Sequence, residues 1–201
     1  MSKTSKKRKE VVKSIEDAVA LIKDGQMVAV GGFGADNHPM AIVREMIRTK
    51  KKNLTIVASA TAGLEIDLLI GAGCVKKLYA PYVGQEMYCP IGHNYRKYAE
   101  CGEIEIMETS EYLLYAGFFA AASGQEFFAW RGGVGTSIPE LNKELVEFID
   151  QSARQRRSSP CRRCGLTGRS FMSDGQMFTA MASISARASA IAGWRAPPTA
   201  S

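Results

Sequence analysis

Histidine is scarce in this sequence: His38 and His93 are the two in a chain of 201 residues. The five cysteines are too scattered to make a disulfide framework. Cys74, Cys89 and Cys101 read as thiols in a reducing compartment, so a cytoplasmic location is expected. Cys161 and Cys164 form a lone C-x-x-C pair with no further cysteine or histidine near it in sequence, short of the roughly four ligands a zinc site uses, so no metal is expected. Long apolar runs are missing too. None approaches the roughly 18 residues of a membrane helix, which argues against a membrane protein. The basic start, Lys6, Lys7, Arg8 and Lys9, is followed by no apolar stretch of the secretory kind and reads as a solvated, disordered arm over residues 1–13.

Charge is unevenly spread. Residues 1–150 hold 18 Lys and Arg against 19 Asp and Glu, whereas residues 151–201 hold eight Arg, one Asp, no Lys and no Glu. The net charge of +6 therefore belongs to the tail, and a nucleic-acid partner is not expected.

What is present alternates between two periods. Ser14 with Asp17 resembles a capping box, and Ile15, Ala18, Val19 and Ile22 recur at helical spacing, which predicts a helix to about Lys23. Asp24-Gly25 breaks it. Met27 to Val30 reads as a buried strand, and a helix with Pro39 in its first turn should run to about Arg48. Leu54 to Ala58 is the next strand, residues 64–71 a helix, Val75 to Tyr82 a strand and residues 93–101 a helix. Ile104 to Ile106 alternates as a strand should, and Ser110 can cap a helix through Ala122. Such alternation with short connections predicts an α/β fold, an open and mainly parallel sheet with helices on both faces. Ligands of such sheets sit at the carboxyl ends of the strands. The turns after Val30 and Ala58 and the segment around Ser110 are therefore the places to look for chemistry.

The turn Gly31-Gly32-Phe33-Gly34 can bring backbone N–H groups close to an anion or a carbonyl oxygen. It has no Walker lysine and does not complete a dinucleotide fingerprint. Taken alone it is also compatible with a tight turn that binds nothing. Its context is more specific. Asp24-Gly25-Gln26-Met27-Val28-Ala29-Val30-Gly31-Gly32-Phe33, followed at the proper interval by Asn37 and Pro39, resembles the α-subunit signature of class I coenzyme A transferases. Asn37 stands where that family has glycine, and Asn tolerates the left-handed backbone the turn requires. The resemblance continues in order through Asn53 to Val57, Gly63 to Gly73, Val75 to Lys77, Tyr82 to Gly84, Gly102 to Glu105, Ala120 to Ala122 and Gly135-Thr136.

That resemblance implies a subunit that moves coenzyme A from an acyl-CoA to a carboxylic acid, of the glutaconate type or a related one. No permanent cofactor is implied, since the coenzyme A thioester is itself the substrate. The family's nucleophile is a glutamate on a separate β subunit, in a Ser-Glu-Asn-Gly type of motif, and the tetrapeptide does not occur here. A β subunit is therefore the implied partner, in a heterodimer or larger hetero-oligomer. Gly31, Gly32, Phe33, Gly34, Ser59 and Thr61 fall where the resemblance implies substrate or CoA binding. Arg131, beside Gly132-Gly133, is either a carboxylate or phosphate contact or a surface arginine on a turn. Ala60-Thr61 replaces the Asn pair of the 3-oxoacid branch and is nearer the glutaconate branch. Glu111 stands where transferases usually carry glutamine. A carboxylate cannot donate a hydrogen bond unless protonated. Two roles are open to it: general base of a hydrolase or carbon–carbon lyase of the same fold, or a glutamate complementing a helix dipole.

The resemblance stops after Phe148-Ile149-Asp150. Residues 160–187 can be encoded by nucleotides whose neighbouring frame reads as a family-like continuation, which places a frameshift near Asp150. Residues 14–150 are thus expected to be the N-terminal part of a CoA-transferase α-subunit domain. Residues 151–201 are expected to be an out-of-frame tail without regular structure, and an inactive truncated fragment is a further alternative.

Overall fold

A computed structural model of the chain describes residues 14–130, 132–147 and 166–169. Four parallel strands form its centre: β1 (Met27–Ala29), β2 (Leu54–Val57), β3 (Val75–Tyr79) and β4 (Glu105–Met107), in that spatial order. The helices between them are α1 (Ile15–Ala20), ahead of β1, then α2 (Met40–Arg48), α3 (Leu64–Gly71) and α4 (His93–Glu100). Because the strand order follows the chain order, every crossover of the same hand returns its helix to the same face. Val28 and Val30, Leu54, Ile56 and Ala58, and Leu78 and Ala80 point to that face. There they pack with Val19, Val43, Met46, Ile66, Leu69 and Ile70 of the helices.

The opposite face carries the alternate residues Ala29, Val57, Tyr79 and Met107. It is covered by α5 (Glu111–Ala122), whose Leu114 and Phe118 lie on these side chains. The expected α/β sheet with helices on both faces is therefore the architecture, and each sequence-read element in residues 14–122 has a counterpart. Ser14 Oγ accepts from the Asp17 N–H at 3.0 Å, as the capping pattern requires. Asn37 takes φ 60°, the left-handed conformation that glycine would otherwise supply.

The boundaries differ modestly. The first helix stops at Ala20 rather than Lys23, with Leu21 as its cap. The third strand stops at Tyr79 rather than Tyr82, because Pro81 has no N–H for a ladder. A larger difference follows α5. There β5 (Phe127–Trp130), β6 (Val146–Glu147) and β7 (Leu166–Arg169) form a second, antiparallel sheet in the order β5-β7-β6, with α6 (Ile138–Leu141) between β5 and β6 in the chain. The strand β7 lies in the tail that was expected to have no regular structure, and for those four residues the expectation is corrected. Pairing on both edges satisfies a central strand's backbone whatever its side chains, so Leu-Thr-Gly-Arg can serve. The rest of the tail, with Cys161 and Cys164, and the basic arm before Ser14 lie outside the described residues.

Candidate functional site

The carboxyl ends of the four parallel strands open on one edge of the sheet, and the loops there are tied to each other through their backbones. After β1, Val30 still pairs with β2, donating to Val57 O at 2.9 Å, and the chain then leaves the sheet at Gly31. Phe33 and Asp36 close a small turn by exchanging hydrogen bonds of 3.0 and 2.9 Å. Gly34 N–H reaches across to the β2 loop and donates to Thr61 O at 3.2 Å. The β2 loop is joined in turn to the β3 loop, where Gly84 N–H donates to Ala62 O at 2.9 Å. The N–H groups of Gly31 and Gly32 carry no hydrogen bond to any described residue. Two unbonded donors on a turn at the head of a parallel sheet suit a carbonyl oxygen that gains negative charge.

Side chains lock this turn from below. His38 Nε2 donates to Gly34 O at 2.8 Å, and its Nδ1 lies 2.9 Å from Glu65 Oε2, off the line of a straight hydrogen bond. Glu65 accepts from Gly63 N–H at 3.0 Å through Oε1 and 3.2 Å through Oε2. The Glu65 side chain is 0% exposed and that of His38 7%. Burial pushes the Glu65 carboxyl up from its ordinary range, opposed by the Gly63 N–H and by His38. The packing leaves no room for larger residues. A Cβ on Gly32, whose φ is +137°, would sit 2.1 Å from His38 Nδ1, and one on Gly63 would meet Gly34 O at 3.0 Å.

Of the residues expected at the site, Gly31, Gly32, Phe33 and Gly34 form the β1 turn, and Phe33 is exposed. Ser59 and Thr61 lie in the adjoining β2 loop. Thr61 meets the glycine turn through its carbonyl, and Ser59 Oγ is buried with no hydrogen-bond partner among the described residues. Glu111 opens α5 directly after the Ser110 cap, whose Oγ accepts from Leu113 N–H at 3.3 Å. The strand ahead of it, β4, is two strand positions from β2, about 10 Å at ordinary sheet spacing. The Glu111 side chain is exposed, and its neighbour is Tyr115 one turn on. Burial, then the Glu111 carboxylate, pushes the Tyr115 hydroxyl up from its ordinary value. Arg131 lies outside the described residues.

His38 and Glu65 were not among the expected site residues. A signal existed for Glu65: it falls on the same helical stripe as Ile66, Leu69 and Ile70, which are buried, and a carboxylate on an apolar stripe needs a partner. Nothing in the sequence pairs it with His38, which is 27 positions earlier.

The family model described as coenzyme A transferase matches residues 12–196, running past Asp150 into the tail. The cholesterol ring-cleaving hydrolase IpdA subunit of Mycobacterium tuberculosis is 34% identical over 131 residues, 64% of this chain and 43% of that protein. A glutaconate CoA-transferase subunit of Acidaminococcus fermentans is 29% identical over 144 residues, 70% of this chain and 45% of that protein. The crystal structure of glutaconate coenzyme A-transferase from Acidaminococcus fermentans superposes with a TM-score of 0.67 at 24% identity, covering 78% of this chain and 52% of that one, and bears on the fold. The chain spans about half the length of the curated relatives it matches.

Proposed function

This chain belongs to the coenzyme A transferase family, and from that premise we propose that it supplies one half of a site acting on a coenzyme A thioester. In this reading it is the subunit that holds the thioester carbonyl while a separate β subunit brings the nucleophilic glutamate. The supporting observation is the glycine turn, with the unbonded N–H groups of Gly31 and Gly32 at the carboxyl edge of the sheet. As the partner's carboxylate attacks, negative charge grows on the carbonyl oxygen, and fixed N–H donors stabilise that charge more than the neutral ground state. The coenzyme A thiolate leaves as the acyl carbon bonds to the partner's glutamate in an anhydride. The thiolate then attacks the glutamyl carbonyl, releasing the donor as its carboxylate and leaving coenzyme A as a thioester on the glutamate. The incoming carboxylate takes coenzyme A by the same two steps reversed. The acceptor we favour is a small dicarboxylic acid of the glutaconate type, and we place the protein in the cytoplasm. The end of the family-like domain we place near Asp150, which reading the DNA across that codon tests directly.

Glu111 favours a second reading, in which the same site cleaves the thioester substrate with Glu111 as general base. A glutamate at the head of α5, exposed and beside Tyr115, can accept a proton from water, which a glutamine cannot. Co-expression with a β-type partner, followed by assays of CoA exchange from acetyl-CoA to glutaconate and of acetyl-CoA hydrolysis, separates the readings. The complex is expected to exchange and the lone chain to be inactive; robust turnover by the lone chain would remove the proposed partner. Glu111→Gln should leave transfer within about tenfold, roughly 1.4 kcal/mol of barrier. If Glu111 is the base, the same change should cut hydrolysis at least about a hundredfold.

A further inference from the structure

The proposed chemistry leaves two buried ionisable groups without a task, His38 at the head of α2 and Glu65 in the first turn of α3. One of their protons can be assigned from its neighbour. Gly34 O can only accept, so Nε2 of His38 carries a hydrogen. On the other side, Nδ1 and Glu65 Oε2 share a contact of 2.9 Å. Either Nδ1 is protonated against a carboxylate, or it faces the O–H of a carboxylic acid. In both arrangements the pair is neutral as a unit, which is what an enclosed site requires. The contacts make one chain from Gly34 O through His38 and Glu65 to Gly63 N–H, and it joins the β1 turn to the start of α3. The ring also fills the space beneath Gly32 so closely that a methyl group there would overlap it.

We propose that His38 and Glu65 are positioning residues that hold the glycine turn, so that the N–H groups of Gly31 and Gly32 point at the substrate carbonyl. This rests on the reading of the turn as the carbonyl-binding element. The pair touches no reacting atom. It acts through the turn, where Gly34 is held on both sides, its N–H by Thr61 O and its C=O by His38. With the ring removed, Gly34 O loses its donor and Gly32 loses the surface it rests on. The turn then samples other conformations, which its glycines permit.

Two measurements test this, one of which needs no turnover. Amide hydrogen exchange on the full chain compares wild type with His38→Ala and with the milder His38→Gln, whose side chain can still donate to Gly34 O. Exchange at the bonded amides of Phe33 and Gly34 should accelerate at least about tenfold in His38→Ala and recover with added imidazole, while Val57 and Leu69 amides stay protected. In the complex with a β-type partner, kcat for acetyl-CoA and glutaconate should fall about a hundredfold in His38→Ala, with little change in KM, and imidazole should restore it. Unchanged exchange at the Phe33 and Gly34 amides, or a kcat that imidazole does not rescue in a wild-type-active complex, overturns the positioning role. Accelerated and rescued exchange beside a wild-type complex with no thioester chemistry overturns the functional reading, and leaves the pair as the element that holds the turn.

Discussion

The parallel sheet over residues 27–107 and the antiparallel sheet that follows α5 are built on different terms. In the first, each strand is followed by a helix that returns to cover it, and every strand contributes side chains that are buried. In the second, Phe127 is 55% exposed, Trp130 38% and Val146 58%, and no apolar side chain among its described residues is buried. Its central strand comes from a distant part of the chain. The parallel sheet thus rests on apolar burial between neighbours in sequence, and the described part of the antiparallel one on backbone pairing and on half-exposed rings, Trp130 stacked on Tyr112 and Phe128 against Phe119. Hydrogen bonds exchanged for those to water contribute less than burial of large side chains. A polar clasp links the two regions: Lys77 Nζ and Tyr79 OH both donate to Glu144, at 2.9 Å and at 2.8 to 2.9 Å, and Asn142 Nδ2 donates to Glu108 O at 2.8 Å.

Substitutions at matched positions sharpen this contrast. The largest loss is expected in the parallel sheet's core. Leu69→Ala removes a fully buried side chain from the helix-covered face and should cost about 2–5 kcal/mol in chemical denaturation. A cost below about 1 kcal/mol would mean that this region is no better packed than the other.

Gly32→Ala comes next, combining a positive φ with the overlap on His38, and should cost about 1–3 kcal/mol. Its effect on turnover should exceed its effect on stability, since the displaced turn carries the proposed donors. Equal, small effects on both would show that the turn has room to adapt.

The clasp is expected to show itself at high pH. Burial, with the Glu144 carboxylate, pushes the Tyr79 hydroxyl from its ordinary 10.0 up to about 12. A group whose pKa is raised by folding contributes stability that is complete below the unfolded value and is lost as pH rises through the folded value. Burial works to lower Lys77, but its bonds to Glu144 and Tyr79 outweigh that and raise it, so it acts in the same direction. The melting temperature should therefore fall between about pH 10 and pH 12, and Tyr79→Phe should flatten that fall. A decline of the same steepness in the variant would assign it to other groups. At neutral pH, Tyr79→Phe should cost about 1 kcal/mol, the net worth of an ordinary hydrogen bond.

The smallest effect is expected in the second sheet. Phe127→Ser exchanges one exposed ring for a hydroxyl and should change stability by less than about 0.5 kcal/mol. A loss above about 2 kcal/mol would show that something covers β5 in solution.

Every element up to Ala122 was legible because its signal is local. The Ser14 cap, the apolar stripe of α2 and the short run of β2 each state their period within a few residues, and each short connection leaves one way to pack. The turn at Gly31 to Gly34 was legible for the same reason, since glycine at consecutive positions answers to backbone geometry alone. The antiparallel sheet was not. Phe127 to Trp130 carries no alternation of buried and exposed residues, and its partner Leu166 to Arg169 has no apolar pattern by which to be found.

By itself, then, the sequence determined the alternation of strands and helices, the direction of the sheet, and the edge on which the glycine turn, Ser59, Thr61 and Glu111 would appear. Only the tertiary structure decided that His38 lies under Gly32 with Nδ1 against Glu65, and that Glu144 closes on Lys77 and Tyr79. The physical reason is range. Propensity and periodicity act between residues a few positions apart. The pairing of two buried ionisable groups depends on how closely whole loops approach, and that distance is fixed only once β1 and β2 lie side by side.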